Sequence, residues 1–334
     1  MTNRERVIAS LQHRQPDRVP YNIEFTKDAH RTMAAYYADP EFDRKLGNCL
    51  YSADAEPPMR EVTPGIFQDE FGIQWNRTID KDIGVVINTV VTLDTIDHYQ
   101  FPDPLSPNVY ERLDAAPADK NKEDNFVCCG LGFSLFERAW TLAGMENILM
   151  WMVAEPERLH RLFDRILEHL LIKVGKICEY DVDMVYFGDD WGQQTGLIMG
   201  PQLWREFIKP RLREMYGAVK RNGKYLRIHS CGHVQEIFPD LIELGLDLFN
   251  PFQPEVMNPF EMKKSFGDRL CFDGGISTQR TLPFATPAQV REEVKRLLEV
   301  VGKNGGYFAA PAHAIPGDAT AENIGAMLDV LRNQ

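Results

Sequence analysis

Short apolar runs alternate with amphipathic segments along the second half of the chain. The predicted strands cover residues 184–187, 225–228, 248–250, 270–272 and 307–310. The segments with apolar residues at helical spacing cover residues 156–179, 201–221, 234–244, 259–266, 286–301 and 321–332. Strands followed at short spacing by helices form parallel βα units. The pattern therefore predicts an α/β fold with a parallel sheet.

The first half of the chain is less regular. It predicts a helix over residues 4–13, strands over 19–25 and 125–129, and a helix from residue 136. Residues 51–105 alternate between apolar and polar positions, most clearly over 84–91, which favours a hairpin over a βα unit. Seven strands with one unplaced fit a (β/α)₈ TIM barrel with an inserted hairpin or loop region around residues 55–105. The chain contains no repeat or linker that would divide it, so residues 1–334 are expected to form a single domain.

Composition narrows the range of partners and compartments. The chain has 49 Asp+Glu against 37 Lys+Arg, a net charge of −12, and lacks the basic stripe that nucleic-acid binding requires. It contains no apolar run of about 18 residues and begins without the apolar core of a signal peptide. Its six cysteines lack CxxC spacing. We therefore expect a cytoplasmic protein that binds neither nucleic acid nor membrane.

Polar residues with catalytic potential follow the predicted strands. In a TIM barrel the active site lies at the carboxyl ends of the strands. The candidates at these ends are Glu24, Asp189, Asp190, Trp191, Gln193, His229, Cys231, Asn250, Gln253, Asp273 and His313. Each predicted strand end in the second half thus carries a group that can bind a metal or move a proton.

The most specific set is His229-Ser-Cys231 together with His313. Imidazole and thiolate are ligands that Zn²⁺ prefers, and three protein ligands leave a fourth position for substrate. A His-x-Cys pair at a strand end directs both side chains to one site if the chain turns between them. A polar turn with a small buried cysteine and a hydrogen-bonded histidine is equally compatible with the spacing.

Adjacent carboxylates form a second candidate site at Asp189-Asp190. In a buried mouth they repel, which raises one pKa and makes a general acid or base available. The alternative is that one carboxylate faces the pocket and the other caps the following loop. Glu24 ends an apolar strand, where it would act in catalysis or pair with an inward arginine. Glu137 and Arg138 are expected to make ordinary helix contacts.

Several motifs together resemble the uroporphyrinogen decarboxylase superfamily over nearly the whole chain. They are the opening stretch from Thr2 to Pro20, Asp189-Asp-Trp-Gly192, His229-Ser-Cys-Gly232, Ala310-Pro-Ala-His-Ala-Ile315 and Glu322-Asn-Ile324. The resemblance implies a (β/α)₈ barrel. It also implies one of two activities: cofactor-independent decarboxylation of uroporphyrinogen, or zinc-dependent methyl transfer involving a corrinoid protein.

The motifs are closer to the methyltransferase branch. Decarboxylases carry Arg-Gln-Ala-Gly-Arg-Tyr after the first strand, whereas this chain has Tyr21-Asn-Ile-Glu-Phe25. Tyr51-Ser-Ala-Asp54 matches the decarboxylase Phe-Ser-Asp-Ile motif poorly. Methyltransferases hold zinc with a His-x-Cys pair and a third cysteine, and the third position here is His313.

The resemblance implies a Zn²⁺-dependent methyltransferase that acts between a small aryl ether or thiol and the cobalt of a corrinoid (cobalamin) protein. His229, Cys231 and His313 would bind zinc, and Asp190 and Glu24 would be catalytic. The implied substrate-binding residues are Asp189, Trp191, Gln193, Asn250 and Gln253. Two alternatives stay open. One is a metal-free lyase of the decarboxylase type that acts on a tetrapyrrole or other carboxylate, and the other is a catalytically inactive barrel that binds a tetrapyrrole or corrinoid partner.

Overall fold

Thirteen strands and thirteen α-helices make up the computed structural model, which describes residues 1–116 and 124–334. The strands are β1 (Leu50–Asp54), β2 (Arg60–Thr63), β3 (Ile66–Gln68), β4 (Gln74–Asn76), β5 (Val85–Val86), β6 (Phe126–Leu131), β7 (Met184–Gly188), β8 (Gly192–Gln193), β9 (Gly196–Leu197), β10 (Tyr225–His229), β11 (Leu248–Phe252), β12 (Cys271–Ile276) and β13 (Tyr307–Pro311). The helices are α1 (Asn3–Leu11), α2 (Lys27–Tyr37), α3 (Glu111–Ala115), α4 (Phe136–Ala143), α5 (Met145–Ala154), α6 (Pro156–Ile177), α7 (Gly200–Leu203), α8 (Lys209–Arg221), α9 (Phe238–Glu243), α10 (Pro259–Phe266), α11 (Thr281–Phe284), α12 (Pro287–Arg296) and α13 (Ala321–Arg332).

Seven strands form one parallel sheet in the order β1-β6-β7-β10-β11-β12-β13. Helices separate most of these strands, as parallel pairing requires. The predicted α/β fold is confirmed, and the curled parallel sheet is of the TIM-barrel type. All the strands of this sheet end at the same rim, so the residues after them are brought together there.

The segment predicted as the first strand lies between the two edge strands. Tyr21 and Phe25 form parallel bridges with Ala309 and Ile315 after the start of β13. On the other side, the carbonyl oxygen of Tyr21 accepts a hydrogen bond of 3.0 Å from the backbone N–H of Cys49, next to β1. Residues 19–25 therefore connect the edges of the sheet.

The structure corrects the prediction for residues 51–54 and narrows the hairpin predicted around residues 84–91 to a shorter antiparallel pair. Residues 50–54 form β1 of the main sheet rather than part of a hairpin; the strand carries two large apolar residues, Leu50 and Tyr51, so its pattern is weak. In the stretch 84–91 only Val85–Val86 is a strand, and it pairs with β4 in a small antiparallel sheet, β2-β3-β4-β5.

Proline interrupts the predicted helix over residues 201–221. A π-helical segment, Trp204–Ile208, separates α7 from α8. Pro210 lies in the first turn of α8 and lacks an N–H, so the regular i to i−4 ladder cannot continue through it. A second π-helical segment, Leu297–Val301, follows α12. The predicted capping hydroxyl of Thr286 accepts a hydrogen bond from the N–H of Gln289, in a capping box at the start of α12.

Helix α1 covers the amino ends of the sheet. Val7 and Leu11 are buried against the first residues of strands, including Phe126, Met184 and Leu248. The interior is therefore closed at this end, and the open end is the rim where the candidate residues lie. None of the helices in the described residues combines the length and the apolar character that crossing a bilayer requires.

Candidate active site

A cavity of about 440 Å³ opens at the carboxyl ends of the parallel strands. We call it the central cavity. Its ionisable lining residues are Glu24, Asp54, Cys128, Glu137, Tyr186, Asp190, Arg227, His229, Asp273 and His313. Five of these are carboxylates and one is an arginine, so the cavity has a strongly acidic lining.

Two glycines allow the motifs after β7 and β10 to touch through their backbones. Gly232 has φ +86°, and a Cβ there would lie 2.4 Å from the carbonyl carbon of Gly192. A Cβ on Gly192 would lie 2.5 Å from the carbonyl oxygen of Cys231. No side chain fits at either contact. The Asp-Asp-Trp-Gly and His-Ser-Cys-Gly turns are therefore packed as one unit.

Hydrogen bonds hold this unit together. The N–H of Cys231 donates to Oδ1 of Asp190 at 2.7 Å. The N–H of Trp191 donates to the hydroxyl of Ser230 at 2.9 Å, and Ser230 is fully buried. The N–H of Gly232 donates to Oε1 of Gln253 at 3.2 Å. These bonds fix the backbone from which Cys231 projects.

The structure brings His229, Cys231 and His313 together. One ligand atom from each residue lies within 4.8 Å of the others. Nε2 of His229 is 3.3 Å from Sγ of Cys231, and the two imidazole rings have centroids 5.6 Å apart. A two-nitrogen, one-sulfur donor set of this kind fits Zn²⁺ and leaves a coordination position for a substrate.

Asn250 sets the tautomer of His229. Its Nδ2 donates to the carbonyl oxygen of Asp273 at 3.2 Å, so Oδ1 is the atom that lies 2.7 Å from Nδ1 of His229. Nδ1 of His229 therefore carries the proton, and the lone pair of Nε2 points to the cluster. Metal-binding histidines are oriented by such a second hydrogen bond.

Electrostatics at the cluster also fit a cation. Burial lowers the pKa of His229, which keeps the imidazole neutral, as a metal ligand must be. Burial, followed by the charges of Asp190 and Glu137, raises the pKa of Cys231 well above its ordinary value. A thiolate at this position therefore needs a positive charge beside it, which a bound metal ion supplies.

Asp189 and Trp191 lie beneath the cavity rather than in its lining. Both are fully buried. Asp189 accepts hydrogen bonds from the N–H of Glu137 at 2.8 Å and from Nε1 of Trp191 at 2.6 Å. Burial raises the pKa of Asp189 to about 7 despite these two donors. The predicted pair of acids is thus divided: Asp190 faces the cavity, and Asp189 ties β7 to α4.

The other predicted residues occupy different positions around the cluster. Glu24 and Asn250 line the central cavity. Gln253 is buried and supports the turn at Gly232. Gln193 is exposed in β8, where its carbonyl oxygen accepts from the N–H of His233 at 2.8 Å. Two of these four residues thus line the central cavity, and the other two contact the turn after β10.

Two features of the cavity differ from what the sequence predicts: Glu137 lies in its lining, and the candidate Asp273 is paired with Arg227. Glu137 lines it, and burial together with the nearby Asp190 and Asp189 raises its pKa well above the ordinary value. Arg227 and Asp273 form a buried ion pair at 2.6 Å, with the guanidinium 4.5 Å from the ring centre of Tyr186. An arginine inside an otherwise apolar strand was the available signal for this pair.

The curated proteins similar to this chain include a methyltransferase and uroporphyrinogen decarboxylases. A curated Methylated-thiol--coenzyme M methyltransferase from Methanosarcina mazei is 23% identical over 172 residues, covering 50% of this chain and 44% of the relative. A uroporphyrinogen decarboxylase from Aliivibrio salmonicida is 24% identical over 220 residues, covering 60% and 58%. The chain thus spans about half the length of the curated relatives it matches.

A solved structure supports the fold, and a family model establishes the family. The structure described as a methyltransferase from Methanosarcina mazei has a TM-score of 0.75 and 19% identity, and the match covers 100% of this chain and 99% of that one. The model described as Uroporphyrinogen decarboxylase (URO-D) matches residues 69–334, most of the chain. The resemblance read from the motifs is confirmed: this chain belongs to the uroporphyrinogen decarboxylase family.

Proposed function

We propose that this protein is a Zn²⁺-dependent methyltransferase that moves a methyl group between a small substrate and the cobalt of a corrinoid protein. The observation that carries the proposal is the convergence of His229, Cys231 and His313 within 4.8 Å at the mouth of the barrel. The methyltransferase among the curated relatives supports the same reaction class.

His229, Cys231 and His313 would hold the metal. Zn²⁺ bound there would act as a Lewis acid toward the heteroatom that carries the methyl group. Asn250 keeps Nε2 of His229 available, and the backbone contact of Gly192 with Gly232 holds Cys231 in position.

Asp190 and Glu24 would be the catalytic carboxylates. Oδ1 of Asp190 lies 3.7 Å from Nε2 of His229, beside the cluster, so it can take or return the proton of a substrate heteroatom. Glu24 is exposed in the same cavity and can orient the substrate. Asn250 would contact substrate directly. Asp189, Trp191, Gln193 and Gln253 would contribute by shaping the binding site from beneath and behind the turns.

The proposed reaction transfers the methyl group from a substrate heteroatom to cobalt. The bond between the heteroatom and the methyl carbon breaks, and its electron pair stays on the heteroatom, which takes up a proton. The corrinoid of the partner would supply the electron pair that accepts the methyl group, so the bond that breaks at the heteroatom is matched by the bond that forms at cobalt. The reverse direction uses the same atoms. Asp190 would supply or accept the proton in either direction.

The corrinoid would approach the carboxyl-end rim. The amino end is closed by α1, so a partner's cobalt can reach the cluster only from the open mouth. We further propose that residues 19–25 act as the eighth strand of a (β/α)₈ barrel, with residues 55–105 as the insertion, and that the whole chain is one domain. The bridges of Tyr21 and Phe25 with residues near β13 support the closure.

The charge of the cavity disfavours the metal-free lyase on a substrate with many carboxylates. The single arginine in the described lining, Arg227, is already paired with Asp273. Glu24 and Asp190 would repel further anions.

Elemental analysis of untagged protein tests the metal site. We expect about one zinc per chain in the wild type and in Cys178→Ser, a half-buried cysteine outside the cluster, and loss of zinc in Cys231→Ser. A folded wild type that stays metal-free after incubation with Zn²⁺ would refute the zinc site. Spectroscopic assay of free cobalamin with candidate donors then tests methyl transfer, with Cys231→Ser as the inactive control.

A further inference from the structure

The inner end of the central cavity is formed by an ion pair. Inward-facing positions alternate along the strands of a barrel. The inward residues nearest the amino ends, such as Met184, Leu248 and Cys271, form an apolar layer under α1. Arg227 and Asp273 follow in the next layer, and both line the central cavity. The cavity therefore ends at a pair of opposite charges that lies on an apolar layer.

Two glycines leave the space above this pair open. Gly130 lies beside Tyr186 in the register of β6 with β7, and Gly188 follows Tyr186 by two positions. Both glycines line the cavity. The guanidinium of Arg227 lies 4.5 Å from the centre of the Tyr186 ring. Because neither glycine has a side chain, a small molecule in the cavity can extend down to this level.

The pair does not use all of its hydrogen-bonding capacity within the protein. Nη2 of Arg227 contacts Oδ2 of Asp273 at 2.6 Å, whereas Nε of Arg227 and Oδ1 of Asp273 have no hydrogen-bond partner among the described residues. The exposed fraction is only 6% for Arg227 and 1% for Asp273. Buried charged groups that lack partners cost free energy. A ligand that brings a polar group to this end of the cavity therefore gains bonds that an apolar ligand does not make.

The two charges of the pair favour a neutral polar group. A carboxylate placed against the pair would face the carboxylate of Asp273, and an ammonium would face the guanidinium of Arg227. Like charges in such proximity are unfavourable. A hydroxyl group can donate to the carboxylate and accept from the guanidinium at once. It is therefore the smallest group that complements both members of the pair.

The other charges of the cavity leave this preference in place. With two neutral imidazoles and one thiolate, a zinc ion at the cluster would leave one positive charge, and Asp190 offsets it from 3.7 Å away from Nε2 of His229. Glu24 also lines the cavity, where Asn22 donates to its Oε1 at 3.0 Å, and its charge further disfavours an anion. A cation is the competing occupant, but it cannot accept the hydrogen bond from Arg227 that a hydroxyl group accepts.

We propose that Arg227 and Asp273 form a subsite that binds a neutral hydroxyl group of the molecule held in the central cavity. Arg227 and His229 lie two residues apart on the same side of β10, which is a rise of about 7 Å. A molecule whose reacting atom lies at the cluster therefore carries the hydroxyl group on its opposite end. The subsite does not depend on the proposed function, which supplies only the identity of the reacting end.

Binding of 4-methoxybutan-1-ol to the zinc-loaded protein, measured by ligand-observed NMR at pH 8, tests the subsite. Four carbon atoms separate its two oxygens, and 1-methoxypentane is the matched ligand in which a methyl group replaces the hydroxyl group. We expect the alcohol to bind at least tenfold more tightly than 1-methoxypentane, 4-methoxybutanoate or 4-methoxybutylammonium. Burial raises the pKa of Asp273 to about 6, so its carboxylate is ionised at the pH of the measurement.

The double variant Arg227→Met with Asp273→Leu replaces the pair by apolar side chains. We expect it to reverse the preference, so that 1-methoxypentane binds more tightly than the alcohol. Arg291→Met with Asp329→Leu is the matched control, because this exposed ion pair lies outside the cavity lining and its loss should leave the preference unchanged. Thermal unfolding checks that both double variants are folded, and the wild-type ligand series remains decisive if the apolar variant does not fold.

Three results would overturn the subsite: no detectable binding of the alcohol, equal or tighter binding of any of the other three ligands to the wild type, or an alcohol preference that persists in the folded Arg227 and Asp273 double variant. Repeating the series on metal-free protein separates the two proposals, because neither residue of the pair is a candidate metal ligand. An alcohol preference that only this double variant loses, without zinc binding or methyl transfer to cobalamin, would refute the proposed function and support the subsite. Methyl transfer that is indifferent both to the hydroxyl group of the donor and to this double variant would refute the subsite alone.

Discussion

The imidazole of His229 and the side-chain amide of Asn250 form one hydrogen-bonded unit, with Nδ1 2.7 Å from Oδ1. Because Asn250 also donates to the carbonyl oxygen of Asp273, its orientation does not depend on His229. The amide therefore selects the tautomer whose Nε2 can bind a metal, and this relationship can be tested apart from catalysis.

We expect Asn250→Ala to weaken zinc affinity about 10- to 100-fold, because the ring loses its orienting acceptor. Competition with a chromophoric chelator measures this affinity. Asn22→Ala is the control: Asn22 lines the same cavity and donates to Glu24 at 3.0 Å, away from the imidazole. Equal affinities in the two variants would show that Asn250 does not orient His229.

We expect Gly232→Ala to lower the free energy of unfolding by more than the same change at Gly223. Both residues have positive φ, +86° and +70°, and each substitution would incur a backbone cost of about 1–2 kcal/mol. A Cβ at Gly232 would also meet Gly192 at 2.4 Å, whereas nothing lies within 4 Å at Gly223. Urea unfolding measures both values, and a similar loss at the two positions would contradict the backbone contact.

Stability should depend on pH through Asp189. Its pKa is about 7 in the folded chain and near its ordinary value of 3.8 when unfolded. The folded state therefore binds more protons between these values, and this group's contribution to the free energy of unfolding falls as pH rises through them, by up to about 4 kcal/mol. The stability of Asp189→Asn should lack this contribution.

The prediction concerns how the difference in free energy of unfolding between the variant and the wild type changes with pH. Asp189→Asn also loses the hydrogen-bond acceptor for Nε1 of Trp191, and this loss lowers the free energy of unfolding by an amount that does not vary with pH. The free energy of unfolding of Asp189→Asn, measured in urea at pH 4, 5, 6 and 7, should rise relative to that of the wild type as pH increases. Asp268→Asn, at an exposed position, should run parallel to the wild type. A constant difference between Asp189→Asn and the wild type would refute the prediction.

We expect Arg227→Met to destabilise the fold by about 3–5 kcal/mol, because it leaves the buried carboxylate of Asp273 without a counter-charge. The double variant with Asp273→Leu should recover most of this loss. Arg291→Met removes an exposed partner of Asp329 and should cost less than about 1 kcal/mol. Denaturant unfolding of the four proteins decides between these outcomes.

The sequence predicts this fold best where each strand is strongly apolar. Four of the five predicted strands after residue 183 lie within two residues of their predicted bounds, since each is bounded by a clear amphipathic helix, whereas β12 continues four residues past its predicted end, through Gly274 and Gly275. Strand β1 was missed because its burial depends on neighbouring strands rather than on its own two large apolar residues. The helix over residues 201–221 was predicted as continuous, although Pro210 was visible in it.

The candidate site was predictable as a set of residue types but not as a geometry. Strand ends correctly suggested that His229, Cys231 and His313 could meet. Which of two adjacent acids faces the cavity depends on the turn after β7, and this separates Asp190 from the buried Asp189. The sequence alone predicts ordinary helix contacts for Glu137, because only the fold shows that α4 begins at the cavity wall.

The small antiparallel sheet and the candidate metal ligands belong to separate stretches of the chain. Ile83, between β4 and β5, lines the central cavity, while His229 ends β10, Cys231 follows it and His313 follows β13. Exchanging the stretch that contains β2 to β5 would therefore change one wall of the cavity and leave these three residues in place. This stretch is the natural target for redesign of the cavity.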